Sequence, residues 1–523
     1  MRRRLLVPEN DVMVSTRVRA VIVATLVAGA LAFPAVARAQ RGDSTSKPIT
    51  PPPVVVVGAP RTLTLQDAIA MAQQQGPLAQ VARSERDMAR WHDRAFGARL
   101  LPQLFLQGDA ANLNHGINPI TLPDGSTQFI GQAQNQSSLN LGFSQAIPLT
   151  GGTISVGSQV SRIDLFGDQN TKVYQTSPVI VSLRQDLFRP RQIVWDQRVQ
   201  TLSARVAERG YLEAREDVAG NTADAFFNLY AQEVALENAS KNVAVNDTLF
   251  TLNKGRYEVG KIGENDLLKS ELALLRARAA VDDAKLARDR AEAALRRLIA
   301  YPEGQAFAIV TPDSIPVVDA DPEVAVREAL KNSSITEQNA LDDVQAKRGT
   351  GLAKANNRFN ASIQASAGFN QTASAFGQAY QSPLGKQALT VGVNLPMLQW
   401  GAGHADVEQA RANEARVAGT NKSRHDALGE DARFSALQLQ QAQRNVLISA
   451  KADTVADKQF EVARNRYIIG KIANDALYLA QGEKDAAVLA HVQALRNYWT
   501  SYYHLRRVTL YDFAKKREME EEQ

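Results

Sequence analysis

One stretch of this chain occurs twice. Phe250–Ile262, with Arg256, Tyr257, Gly260 and Lys261, returns as Phe460–Ile472, with Arg466, Tyr467, Gly470 and Lys471, at an offset of 210. An earlier pair, Ala68–Gly76 and Ala325–Ser333, matches at an offset of 257. The chain is therefore a tandem repeat, and the two offsets differ by 47 residues that the first half carries and the second lacks. Pro302, Pro312, Pro316 and Pro322 interrupt any helix between the halves and mark the boundary. A duplicated chain must fold twice from one pattern, so each half constrains the reading of the other.

Each half is predicted to hold a helix, short alternating segments and two long helices. The helical stretches are 63–99, 190–254 and 265–300, then 323–357, 402–464 and 475–514, all rich in Ala, Leu, Arg, Glu, Gln and Lys. Leu268, Leu272, Leu275 and Ala279 form a narrow stripe suited to helix-on-helix packing. A helix of about 60 residues extends roughly 90 Å. No single globular core covers such rods, so they pack against each other or against other subunits.

Between the helices the period changes to two. Segments 102–111, 137–147, 152–162 and 178–187 in the first half, and 360–370 and 387–396 in the second, alternate apolar with small polar residues. Leu139, Leu141 and Phe143 against Ser138, Asn140 and Gly142 show the pattern, as do Leu389, Val391 and Val393 against Thr390, Gly392 and Asn394. Segments of this length and alternation are the signature of outer-membrane strands. Residues 112–136 and 371–386 read as long polar loops on one side, and 148–151 as a tight turn on the other. The extra hairpin, 152–187, accounts for most of the insertion.

The N-terminus reads as an export signal over residues 1–39. Residues 20–33 form a short apolar run behind Arg17 and Arg19, followed by Ala37-Arg38-Ala39 before Gln40. Met13 is a second possible start. Residues 40–61 form a Pro-rich tether, and beyond residue 40 no apolar run reaches the length of a spanning helix. An exported chain of this kind is soluble or a β-barrel.

Composition excludes several classes. The chain of 523 residues has no Cys, which removes disulfides, Cys-ligated zinc, thiol nucleophiles and a lipid-bearing Cys together. Its formal charge is +5, of which +4 falls within residues 1–39, leaving too little excess for nucleic-acid binding. Six scattered His form no H-x-x-x-H pair, and no G-x-S-x-G motif occurs. No catalytic residue, metal site or cofactor is expected.

Closure of the sheet sets the stoichiometry. Four to six strands cannot close a barrel with a lumen, since about eight are needed. An open edge in lipid leaves backbone groups unpaired at several kcal/mol each. Several chains must share one barrel, and three would supply twelve strands, or eighteen if the extra hairpin joins the wall.

Leu63-Thr64-Leu65-Gln66-Asp67-Ala68-Ile69, Leu101-Pro102, Gln185-Asp186-Leu187-Phe188, Leu395-Pro396 with Gly401 and Gly403, and both R-Y-x-x-G turns occur in this order over residues 62–514. In that order and duplication the chain resembles the TolC-like outer membrane factor (outer membrane efflux protein) family. The resemblance implies a first repeat at 62–301, a linker at 302–322, a second repeat at 323–514 and a charged tail at 515–523. It implies a mainly α protomer that gives strands to a shared trimeric outer-membrane β-barrel and long helices to a periplasmic α-helical barrel. The implied function is the exit duct of a tripartite efflux pump or type I secretion system. Implied partners are two further copies of the chain, a periplasmic adaptor (membrane fusion) protein, an inner-membrane pump or ABC exporter, and outer-membrane lipid.

The turns 260–265 and 470–475 have a physical reading of their own. Gly260 and Gly470 suit the left-handed backbone that ends a helix, and Asn265 and Asp475 suit N-caps of the returning helices. In the family this hairpin is the periplasmic tip. Arg256, Lys261, Arg466 and Lys471 are expected to dock an adaptor or to hydrogen-bond across a closed tip, with Tyr257, Ile262, Asp266, Tyr467 and Ile472 beside them. Acidic residues that often follow the second turn in the family have no match at Ala476 and Leu479. The rival reading is a soluble periplasmic coiled-coil scaffold or adaptor-like binding protein.

Overall fold

The structure, a computed structural model, describes residues 61–166, 170–312 and 315–519. The expected signal segment, its cleavage residues Ala37, Ala39 and Gln40, and nearly all of the tether lie outside the described residues.

The first half runs through β1 (Arg61–Thr64), α1 (Leu65–Gln75), α2 (Pro77–Arg99), β2 (Gln103–Thr121), β3 (Thr127–Ile147), β4 (Gly152–Phe166), β5 (Thr171–Asp186), α3 (Gln192–Glu258) and α4 (Glu264–Leu298). After β6 (Phe307–Val310) the second half follows: α5 (Pro322–Asn332), α6 (Ser334–Asn356), β7 (Asn360–Ala373), β8 (Leu384–Asn394), α7 (Ala402–Ile468) and α8 (Asn474–Thr509). A hairpin of β9 (Tyr511–Asp512) and β10 (Arg517–Glu518) comes last. The helices correspond pair by pair: 11 residues in α1 and α5, 23 in α2 and α6, 67 in α3 and α7, 35 in α4 and 36 in α8.

The single helices expected at 63–99 and 323–357 each divide in two. Gly76 is extended ahead of Pro77, and a Cβ there would lie 2.4 Å from the Ala72 carbonyl oxygen and 2.7 Å from that of Leu298. Ser333 makes the equivalent break. Its hydroxyl accepts from the Ile335 N–H, while Glu213 of α3 accepts from the Ser334 N–H and from both serine hydroxyls. Capping groups of this kind satisfy helix-end donors that would otherwise be orphaned.

The apolar core sits where α1 and α5 pack on α3, α4, α7 and α8. Leu63, Phe226, Phe227, Leu295, Leu439 and Tyr498 are fully buried there. Burying each such side chain contributes about 1.5–3 kcal/mol. Beside it Arg506 bonds Glu216 at 2.9 Å, with the Glu216 side chain 2% exposed, and reaches Asp512 at 3.4 Å. Burial pushes the Glu216 carboxyl upward, against the pull of Arg506.

Two connecting segments carry pairings of their own. In the linker 302–322, β6 pairs in parallel with β1 from Arg61↔Phe307 to Thr64↔Val310. At the start of the tail, Met519 is buried and donates its N–H to the Leu510 carbonyl, closing the β9–β10 hairpin over the core. Both are two- to four-residue pairings, too short for periodicity to reveal.

The large sheet has the strand order β2-β3-β4-β5-β7-β8, antiparallel throughout. The extra hairpin is thus part of this wall. Strands expected at 102–111 and 137–147 extend to Thr121 and back to Thr127, so residues 112–136 are mostly ladder and not loop. Their turn is 122–126, with Gly125 at φ +83° and the Asp124 carboxylate accepting from the Ser126 N–H and hydroxyl. The outer strand halves carry Asn112, Asn114, Gln132 and Gln134 on one face and Leu113, Ile117, Phe129 and Ala133 on the other, an apolar row broken by His115, Pro119 and Gly131, and backbone pairing continues the ladder through the breaks. The other four strands run at 152–166, 171–186, 360–373 and 384–394 against expected 152–162, 178–187, 360–370 and 387–396.

Candidate channel wall and helical tip

Residues opposite one another on adjacent antiparallel strands share a face of the sheet. One face carries the row Leu104–Phe143–Val156–Val181–Ala367, with Leu106, Leu141, Leu389, Val391 and Val393 in neighbouring rows. These side chains have no cover within the chain: Leu104 is 71% exposed and Leu389 70%. The other face carries Gln103–Ser144–Ser155–Ser182–Ser366, a row of hydroxyls and one amide. The next row is Phe105–Gly142–Gly157–Ile180–Gly368–Lys386. The Phe105 ring lies across Gly142, where a Cβ would sit 2.3 Å from it. The glycine therefore admits the ring and keeps this face shallow. Strands β2 and β8 are the edges, each with one side of its backbone unpaired by another strand.

Helices α2, α3, α6 and α7 all join one end of this sheet. The turn Pro148–Gly151 closes the same end, with Gly151 at φ +79°. At their far ends, α3 turns into α4 and α7 into α8 through two matching turns. Gly260 lies at φ +66° and Gly470 at +74°, in the left-handed backbone predicted for them. The Lys261 N–H bonds the Arg256 carbonyl and the Gly260 N–H that of Tyr257; Lys471, Arg466, Gly470 and Tyr467 repeat both bonds. This pair of bonds is the Schellman closure of a helix end.

The capping expectation needs correction. Gly263 and Ala473 are the N-caps of α4 and α8, both extended, so Asn265 and Asp475 fall inside the first turn. The turns close two residues earlier than the Asn and Asp positions suggest. Glu264, Asp266 and Asp475 instead place negative charge at positive helix ends.

Side chains at the two turns are not equivalent. Tyr467 is 2% exposed and Tyr257 42%. The Tyr467 hydroxyl donates to Asn253 Oδ1 at 2.9 Å, and the Arg256 guanidinium lies 5.3 Å from its ring centre. Arg256 also donates to the carbonyls of Tyr467 and Ile468, at 3.5 and 3.4 Å. Arg466, Lys261 and Lys471 are exposed, as is Asn265, while Ile262 and Asp266 are half-buried. Ile472 packs on a small cluster of Leu249, Phe460, Tyr467 and Leu477. Asp475 meets Lys269 of the opposite hairpin at 3.5 Å. Asn253, Arg256, Lys261, Asp266, Tyr467 and Ile472 line a cleft of about 490 Å³.

Sequence reasoning missed Asn253, Lys269 and Tyr478. Laying one repeat on the other exposes the first: Asn253 stands where the second half has Ala463, a polar residue on a helix face that its copy leaves apolar. Tyr478 carries a buried hydroxyl, and burial first, then the charges of Tyr467 and Asp475, push it up to about 12. Among the described residues, no group of three or more His, Cys, Asp or Glu is placed to hold a metal, and no helix is long and apolar enough to cross a membrane.

Residues 68–300 match the family described as Outer membrane efflux protein. No curated protein matches the sequence. Solved structures share the fold. The CmeC outer membrane channel of Campylobacter jejuni is 15% identical at a TM-score of 0.62, covering 88% of this chain and 87% of its own. The outer-membrane channel OprN is 15% identical at 0.63, with 86% and 90% covered. The outer membrane protein VceC of Vibrio cholerae is 15% identical at 0.60, with 85% and 95% covered. The first repeat carries the family match, the second repeats its helices length for length, and the chain shares the fold of the outer-membrane channels.

Proposed function

We propose that three copies of this chain close one barrel and one helical tunnel. The assembly is the passive exit duct of a tripartite efflux pump or type I secretion system. A periplasmic adaptor and an inner-membrane pump or ABC exporter deliver substrate and energy. The observation that carries this reading is the six-stranded sheet with two open edges and an uncovered apolar face. Three such sheets supply eighteen strands. At a spacing near 4.8 Å and a tilt near 40°, these enclose a backbone cylinder roughly 36 Å across. Lipid takes the apolar face and water the hydroxyl and amide face, the arrangement of an outer-membrane barrel. A soluble scaffold has no use for that apolar face.

The tip is the proposed adaptor site. Lys261 and Lys471 stand exposed beside the two Schellman turns, free for an acidic or carbonyl-bearing partner. Two measurements test the function. Reconstituted in a planar bilayer, the protein should give stable conducting steps; a bilayer left silent at every protein load counts against the duct. In cells, Lys261→Glu with Lys471→Glu should lower export while the amount of assembled protein in the outer membrane stays the same. Unchanged export would remove the turns from the docking site.

A further inference from the structure

The base of the sheet, where strands pass into helices, carries a second surface that neither the wall nor the tip explains. Five segments meet there: 97–102, 148–151, 187–191, 356–359 and 395–401. Each of the four that enter or leave a helix ends in exposed apolar groups: Leu101; Leu187 and Phe188; Phe359; and Leu395, Met397, Leu398 and Trp400. Leu149 in the turn is exposed as well. Met397 is 90% and Trp400 89% exposed, the most uncovered large apolar side chains of the chain's described residues. The same segments contain Arg99, Arg189, Arg191 and Arg358 and no Asp or Glu. At the opposite end of the sheet the connections 122–126, 167–170 and 374–383 contain Asp124 and Asp168 and no Lys or Arg.

We propose that this collar seats in the periplasm-facing leaflet of the membrane and takes anionic phospholipid headgroups on its arginines. The inference rests on the barrel reading. Two observations favour lipid as the occupant. Leu395 and Met397 continue the alternate spacing of Leu389, Val391 and Val393, so the collar begins where the lipid-facing stripe ends. Its charge is of one sign and complements phosphate, while an exposed Trp among aliphatic groups matches the interfacial belt of membrane proteins. The collar is also held in shape. Arg191 donates to the Leu149 carbonyl at 3.0 Å and Arg358 to that of Phe188 at 2.8 Å, while the Phe188 and Phe359 rings pack 5.4 Å apart. Trp400 itself sits at φ +51° ahead of Gly401 at +89°, a left-handed pair that turns the chain sharply into α7. Arg99 and Arg189 are exposed and open to headgroups.

The test is fluorescence of Trp400 in the full-length protein reconstituted into vesicles. A variant with Trp91→Phe, Trp195→Phe and Trp499→Phe leaves it as the sole Trp; if that variant does not assemble, the difference between the unmodified protein and Trp400→Phe gives the same signal. Phosphatidylcholine brominated high on its acyl chain should quench Trp400 several-fold more than lipid brominated near the methyl end. Aqueous iodide should quench it little. Quenching by iodide alone, or by neither probe as when a second copy covers the residue, overturns the collar. Leu389→Trp, on the wall itself, reports separately on the barrel. Its quenching by deep bromine with Trp400 untouched sinks the collar only; failure of both sinks the barrel too. Replacing Arg99 and Arg189 by Gln should lower the preference of Trp400 for brominated phosphatidylglycerol over phosphatidylcholine by on the order of tenfold. An unchanged preference overturns the headgroup assignment.

Discussion

The two halves of the chain share their helices almost residue for residue and differ in their sheets. The first contributes four strands to the wall and the second two, although α3 and α7 both span 67 residues. Helices that pack along their whole length against partners must keep a common length, because a missing turn leaves a gap in every neighbour. A sheet obeys a weaker rule. It accepts more strands provided the chain returns to the end from which it started. One extra strand would send α3 off the wrong end of the sheet; two bring it back. The insertion of 47 residues is the size of one hairpin with its connections. A register irregularity lies within the hairpin, near Gly157/Gln159, and another where it joins β7, near Thr176/Ile180, while its pairing with β3 is regular.

The strongest way to break this comparison is to remove strands. Deleting β5 alone should abolish assembly, because β4 would deliver α3 to the outer end. Deleting both strands of the hairpin, residues 148–187, should leave an assembled barrel about one third narrower by electron microscopy. If the single-strand deletion assembles as well as the hairpin deletion, the parity rule is wrong.

Next in size is the crowding at Gly142. Gly142→Val drives two methyl groups into the Phe105 ring and should strongly reduce the assembled fraction recovered from membranes. Gly131→Val, on the same strand with no atom within 4 Å of the Cβ it would gain, should not. Adding Phe105→Ala should restore assembly of the Gly142→Val protein.

The buried ion pair offers a third test. Arg506 holds Glu216 in the core, whereas its repeat equivalent Arg296 bonds Glu292 and two carbonyls at a more open site. Arg506→Met leaves a buried charge alone and should cost about 3–5 kcal/mol. Arg296→Met leaves Glu292, 26% exposed, able to meet water, and should cost less, about 1–2 kcal/mol. Chemical denaturation of the extracted protein reads both, and equal losses would contradict the burial difference.

The smallest effect sits at the tip. Tyr467→Phe removes one hydrogen bond to Asn253 and should cost about 1 kcal/mol. Tyr257→Phe, at the exposed copy, should cost nearly nothing. Hydrogen exchange of the two hairpins separates them, and equal protection losses would deny the asymmetry.

Long elements are legible in the sequence because their signals repeat. Leu268, Leu272 and Leu275 mark a helix face, and Leu389, Val391 and Val393 a strand face. The left-handed turns are readable from Gly260 and Gly470 because only glycine takes that backbone without strain. The outer halves of β2 and β3 are weakly marked, since His115, Pro119 and Gly131 break the apolar row that Leu113, Ile117 and Phe129 begin. The caps escape a reading by residue type because Asn265 and Asp475 are good caps in general, while the turn length decides which residue holds the position. The contact of Arg256 with Tyr467 joins residues 211 apart, and only the packing of one hairpin on the other brings them together.

The central claim is that three chains complete one barrel. The mass of the detergent-extracted particle, with the bound detergent subtracted, tests it most directly. Three times the mass of one chain, obtained only from membranes, is the expected result. A single chain that stays dispersed in detergent-free buffer would contradict it.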